Sequence, residues 1–141
     1  MRRLRHPAIA MLVLWTLWPT LVFGQAAKAG VVTTLEGTVT AARPISPQPV
    51  VLKFKDDVFL QDRVTTGDRS LAKLLLGGRA LVTVRERSSL TISEVPPRST
   101  IDLQAGKIGL AVARERLRPG EQLDIRTPNA VAGVRGTVVV R

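Results

Sequence analysis

IRTPNAVAGVRGT, residues 125–137, decides how the rest of this sequence is read. It holds two glycines three apart, arginines at 126 and 135, a Thr-Pro step and no acid. Gly133-Val134-Arg135-Gly136 matches the bare GxxG with which some domains clamp a nucleic-acid backbone, but that loop needs a helix on each side. Here the flanks are LDI and VVV, which read as strands. A phosphate-cradling loop fails too, for want of a lysine and a following helix. The remaining reading is structural. Pro128 starts a turn after a Leu123–Thr127 strand, and Gly133 and Gly136 mark a bulge or tight bend where another backbone comes close.

Working back along the chain, the same period of two recurs, which sends successive side chains to opposite faces of a sheet. In GVVTTLEGTVTA, Val31, Leu35 and Val39 are expected on one face and Glu36, Thr38 and Thr40 on the other. Leu90 with Ile92, Ile101 with Leu103, Ile108 with Leu110 and Val112, and Leu123 with Ile125 repeat the pattern in short β-branched runs. Turn residues separate them at Thr66-Gly67-Asp68, Gly77-Gly78, Gln104-Ala105-Gly106 and Pro119-Gly120. No helical period is evident after Gly30. The expectation is an all-β single domain, either a sandwich or roll or a helically wound sheet. Arg43–Pro49, with three prolines in seven residues, reads as a surface connection, and no tandem repeat is apparent. About 115 residues suffice for one core, burying about two-thirds of the unfolded surface.

The first 26 residues read differently. Arg2, Arg3 and Arg5 precede an uncharged stretch from Pro7 to Ala27, with small residues at Gly24, Ala26 and Ala27. Basic, apolar and small, in that order, is the pattern of a secretory signal. The alternative is an uncleaved anchor, since such a stretch just spans a bilayer of about 30 Å. Either way residues 27–141 are expected outside the cytoplasm, in the periplasm or beyond, with membrane contact only through the leader if it stays.

Charge and chemistry narrow the function. The net charge is +10, yet three of the 21 basic residues lie in the leader and the others are interspersed with 11 acids, as in RERLR at 114–118. A scattered excess reads as a solvated basic surface rather than a nucleic-acid track. There is no cysteine, and the one histidine, His6, lies in the leader. Thiolate and imidazole chemistry are therefore excluded from the folded part. Asp56, Asp57, Asp62 and Asp68 lack the D-x-D-x-D-G order of a calcium loop and read as solvated turn carboxylates. Ser88, Ser89 and Ser93 have no histidine or suitably spaced lysine to activate them. No enzyme, cofactor or metal is expected.

These elements together resemble the FecR domain, an exported all-β module. GVVTTLEGTVT at 30–40, DDVFLQDRVTTGDRSLAKLLL at 56–76, SSLTI at 88–92, IDLQAGKI at 101–108 and the quoted 125–137 stretch carry the likeness. The motif positions are Gly37, Thr66, Gly67, Gly106, Arg126, Thr127, Pro128, Gly133, Arg135, Gly136 and Thr137, and the resemblance implies a structural role for each. The hairpin usual after the LLL strand is replaced by Gly77-Gly78-Arg79. The strands that usually follow G-V-R-G-T are missing before Arg141. Two settings are implied. One is a signal-bearing, freely exported module with no assigned role, for which the expected work here is that of an interaction or scaffold module binding a protein or glycan of the envelope. The other is a fragment or relative of a transmembrane regulator that couples metal uptake to a sigma factor. An envelope hydrolase ranks last. Self-association is expected through the terminal strand around Val138–Val140, whose outer neighbour the resemblance leaves missing.

Overall fold

The computed structural model describes residues 27–46, 48–95, 98–128, 130–134 and 137–140. The leader, Arg135 and Gly136 lie outside them. Thirteen strands are described: β1 (Lys28–Glu36), β2 (Val39–Ala42), β3 (Val50–Val51), β4 (Asp57–Phe59), β5 (Arg63–Thr66), β6 (Leu71–Leu76), β7 (Ala80–Val84), β8 (Ser89–Val95), β9 (Arg98–Ala105), β10 (Ile108–Val112), β11 (Gln122–Thr127), β12 (Ala130–Val134) and β13 (Thr137–Val140). One sheet runs β13-β10-β7-β6-β1-β4 and the other β12-β11-β9-β8-β5-β2-β3. Of the expected all-β forms, the chain adopts the sandwich.

The alternating runs explain why the sheets stack. Each half-buried strand turns one row of apolar side chains inward. Val32, Leu74, Val82 and Leu110 from the first sheet meet Val64, Leu90, Ile101 and Ile125 from the second in one core. The expected pairs Leu90 with Ile92, Ile101 with Leu103, and Leu123 with Ile125 are buried, as are Ile108 and Leu110, while Val112 is partly buried against the core.

β1 departs from its expectation. Val32, not Val31, is buried, because the register against β6 slips between Val32 and Thr34. The extra residue is Thr33, whose hydroxyl donates to Lys73 O at 3.1 Å. This bulge puts Val32 and Leu35 on the same side, where a strict period of two would have opposed them.

The strand order contains a symmetry that no sequence repeat announced. Exchanging the sheets maps β10-β7-β6-β1 onto β2-β5-β8-β9. RVTTGDRSLAKL at 63–74 and LVTVRERSSLTI at 81–92, which the exchange relates, align in sequence with identities at Val64/Val82, Thr65/Thr83, Arg69/Arg87 and Ser70/Ser88. Four matches in twelve, in strands where Val and Thr are common anyway, are too few to stand out by eye.

Candidate functional site: the serine corners, the cavity and the open edges

At one end of the sandwich the chain crosses between sheets four times, at Gly37-Thr38, Gly67–Ser70, Arg85–Ser88 and Gly106-Lys107. A turn between sheets strands backbone N–H and C=O groups that no ladder can pair. Two buried serines satisfy them. Thr38 N–H donates to Ser70 Oγ at 2.9 Å, and Lys107 N–H donates to Ser88 Oγ at 2.9 Å. The Ser70 hydroxyl reaches Asp68 O at 3.0 Å, while that of Ser88 has Glu86 O and Lys107 O each at 3.1 Å. Gly67 N–H to Thr38 O and Arg85 N–H to Lys107 O, both 3.0 Å, complete the two equivalent corners.

The glycines opposite the serines are sterically required. Gly37 has φ +73 and Gly106 φ +88, where an L side chain is strained. A Cβ at Gly37 would also lie 3.0 Å from Ser70 Cα, and one at Gly106 only 2.6 Å from Ser88 Cβ. Thr66 ties the corners together, receiving Ser88 N–H at 2.9 Å and donating to Arg85 O at 2.6 Å. Outside, Arg87 pairs with Asp68, whose hydrogen bond and charge hold the guanidinium above its ordinary range, and Arg69 N–H donates to Glu86 at 3.3 Å.

The aspartates go to separate partners. Asp56 accepts Lys53 N–H at 2.8 Å, Asp57 pairs with Lys28 at 2.8 Å, and Asp68 with Arg87. Asp62 corrects its expected exposure: it is 1% exposed, accepts Phe59 N–H at 3.0 Å, and faces Arg43 Nε at 3.6 Å. Arg43 in turn lies over the Phe59 ring, 4.6 Å from its centre. Its place in D-R-V-T-T-G was the one signal available, since a carboxylate two residues before a buried valine shares that valine's inward face. Of the three serines, Ser88 is locked in its corner. Ser89 lies 3.4 Å from the Thr65 hydroxyl, and Ser93 donates to Asp102 at 3.0 Å.

At the opposite end the sheets part around a cavity of about 210 Å³. Leu60, Leu76, Ile92, Ile101 and Leu123 wall it, and Lys28, Arg79 and Glu121 stand among its polar residues. Arg79 is paired with Glu121, whose carboxylate also accepts Arg118 N–H at 2.9 Å. These bonds, Arg79's first, hold the Glu121 carboxyl below the usual carboxylate range. With Lys28 on Asp57 and Arg79 on Glu121, both cations of the cavity are already matched. The cavity is an apolar space with a neutralised mouth, not a converging set of acid, base and nucleophile.

The motif residues divide between the ends. Gly37, Thr66, Gly67 and Gly106 come together in the corners. β11 runs parallel to β9 toward the same end, so Arg126, Thr127 and Pro128 arrive beside them. The turn at Pro128 is as expected, with Thr127 opposite Ala130 across it. Gly133 and Thr137 fall toward the cavity end, in β12 and β13. Gly133 corrects the expected bend: it stands in regular register opposite Asp124 inside β12. Arg135 and Gly136 lie outside the described residues.

β12 and β13 each end a sheet, and they do so on the same side of the sandwich. β12 is held only by β11 and β13 only by β10 among the described strands. Expected at an edge, Val138–Val140 is found there.

A family model described as FecR protein matches residues 62–141. That is more than half of the chain, and it takes in both serines, Gly106 and the whole 125–137 stretch: this chain belongs to the FecR family. Its match begins at Asp62, so Gly37 lies before it, although β1 and β2 are integral to the same two sheets. Comparison with curated proteins and with solved structures gives no match.

Proposed function

We propose that this protein is a non-enzymatic interaction module of the cell envelope, of the kind used in FecR-type regulatory signalling, and that it works by taking up a strand of a protein partner. The observation that carries this is the doubled edge. AVAGV in β12 and TVVV in β13 place two uncharged strands side by side at the margins of the two sheets. Uncharged, β-branched edges are templates for strand addition, and proteins that must avoid it place lysine, proline or a bulge there. FecR membership supports a regulatory role. Export through the leader is part of the proposal, because a partner in the envelope requires it.

The test is a Val139→Lys substitution in the full chain, read by cross-linking in envelope extract and by sedimentation of the purified protein. A captured polypeptide, or self-association at tens of micromolar (roughly the range in which open edges associate), is expected for the parent chain and lost in the variant. Capture unchanged by Val139→Lys, or capture of glycan alone, would overturn the edge reading.

A further inference from the structure

The opposite side of the sandwich, where β3 and β4 end the two sheets, is built on another principle. Among the described residues, the exposed large hydrophobics all fall in one ten-residue stretch: Ile45 (85% exposed), Val50 (43%), Val51 (58%) and Phe54 (60%). Among the other described side chains the larger apolar residues are buried or half-buried, so four exposed within ten residues stand out. Lys53 and Lys55 flank Phe54, both exposed and outside every ion pair of the described residues, with Lys55 Nζ 5.5 Å from the Phe54 ring centre.

The stretch is also firmly mounted. Leu52, 2% exposed, plugs into the core. Leu52 N–H donates to Val39 O at 2.8 Å, Lys55 N–H to Val32 O at 2.9 Å, and Val32 N–H to Asp56 O at 2.9 Å. At its start Arg43 is anchored on Asp62 and Phe59. Phe54 therefore stands on a turn fastened to both sheets, one residue from each lysine.

We infer that this side docks on an anionic lipid surface, with Phe54 and Ile45 entering the interface and Lys53 and Lys55 meeting the headgroups. Strand addition does not suit it. β3 makes only two residue pairs with β2, and Pro49 before it has no N–H to offer. What it offers is single apolar side chains projecting from turns beside unpaired cations, the combination that inserts shallowly and is drawn by anionic headgroups. Of the nearby acids, Asp56 accepts Lys53 N–H and Asp57 is matched by Lys28, which leaves Lys53 and Lys55 exposed and outside the ion pairs of the described residues. The inference is independent of the β12 and β13 edges, which lie on the far side.

The chain has no cysteine, so one introduced at position 45 takes an environment-sensitive fluorophore uniquely. Full-length Ile45→Cys, so labelled, is mixed with phosphatidylglycerol–phosphatidylcholine vesicles and with pure phosphatidylcholine vesicles; Arg69→Cys, on the serine corners, is the control. The label at 45 is expected to shift to the blue on anionic vesicles only, and the label at 69 not to shift. Adding Phe54→Asp abolishes the shift, and Lys53→Ala with Lys55→Ala weakens partitioning about 30-fold, since each lysine near such a surface contributes a factor of about five. All three positions are exposed, so the fold tolerates these changes. An unshifted label at 45 on protein-bearing anionic vesicles, an equal shift on neutral ones, or one arising only with an added protein would each overturn the inference. Val139→Lys leaves vesicle binding intact, which separates this test from that of the edge.

Discussion

The Ser70 corner and the Ser88 corner do the same work with different sequences. In both, a serine hydroxyl accepts the N–H that follows a positive-φ glycine, and in both the arginine before the serine sits at φ +50. Around that nucleus the residues vary: Gly67 stands where Arg85 does, Thr66 where Val84 does, Asp68 where Glu86 does. What the turn needs is a small hydroxyl on one side and no Cβ on the other. Its charges lie outside, solvated, and decorate it. The corners are also unequal in tightness, since the Ser88 hydroxyl has two carbonyls in reach where Ser70 has one, and Gly106 is closer to its serine than Gly37.

That inequality can be broken first at the glycines. Gly106→Ala combines left-handed strain of about 1–2 kcal/mol with overpacking of about 1–3 kcal/mol, so a loss of about 2–5 kcal/mol is expected in chemical denaturation. Gly37→Ala should lose less, because its Cβ stands farther from backbone and the Ser70 hydroxyl can swing aside. Equal losses would mean that the corners are equivalent after all.

Ser88→Ala and Ser70→Ala make the next comparison. Each leaves an amide without its acceptor, a loss of about 1–3 kcal/mol when buried. Ser88→Ala is expected at the upper end and Ser70→Ala at the lower, with Lys107 N–H gaining faster hydrogen exchange in the first variant. A reversed order would show that Thr66, bonded to Ser88 N–H, can hold that corner alone.

The smallest effect is at the other end, where an ion pair replaces buried hydroxyls. Glu121 has its folded pKa depressed by Arg79. The stability it contributes is therefore fully present above the ordinary glutamate pKa and is lost as pH falls through the folded value. As pH falls below the ordinary glutamate range the amides near Arg79 and Arg118 should lose protection in the parent chain, and Glu121→Gln should remove that dependence. The amides of Thr38, Ser88 and Lys107 in the corners are held by neutral hydroxyls and should keep their protection over the same range. A pH response confined to the corners would contradict the contrast.

Much of this architecture was legible beforehand, and the reason is local. A strand that buries one face must alternate, so Leu90, Ile92, Ile101, Leu103, Leu123 and Ile125 announced themselves, as did the turn at Pro128. β1 misled because a bulge inserts one residue without altering composition, and a single slip reverses every face beyond it. Gly133 misled because glycine in a strand serves a flat pairing as readily as a bend.

By itself the sequence determined the class of fold, most of the turns and the lack of cysteine and histidine in residues 27–141, since period, punctuation and composition are properties of neighbours along the chain. Tertiary structure alone decided that Asp62 is buried, that residues 63–74 and 81–92 face each other as related corners, and that Ile45 and Phe54 point outward while Leu52 between them points in. Those facts depend on which segments meet across the sandwich. That pairing is set by burial of the whole core, and no window of the sequence contains it.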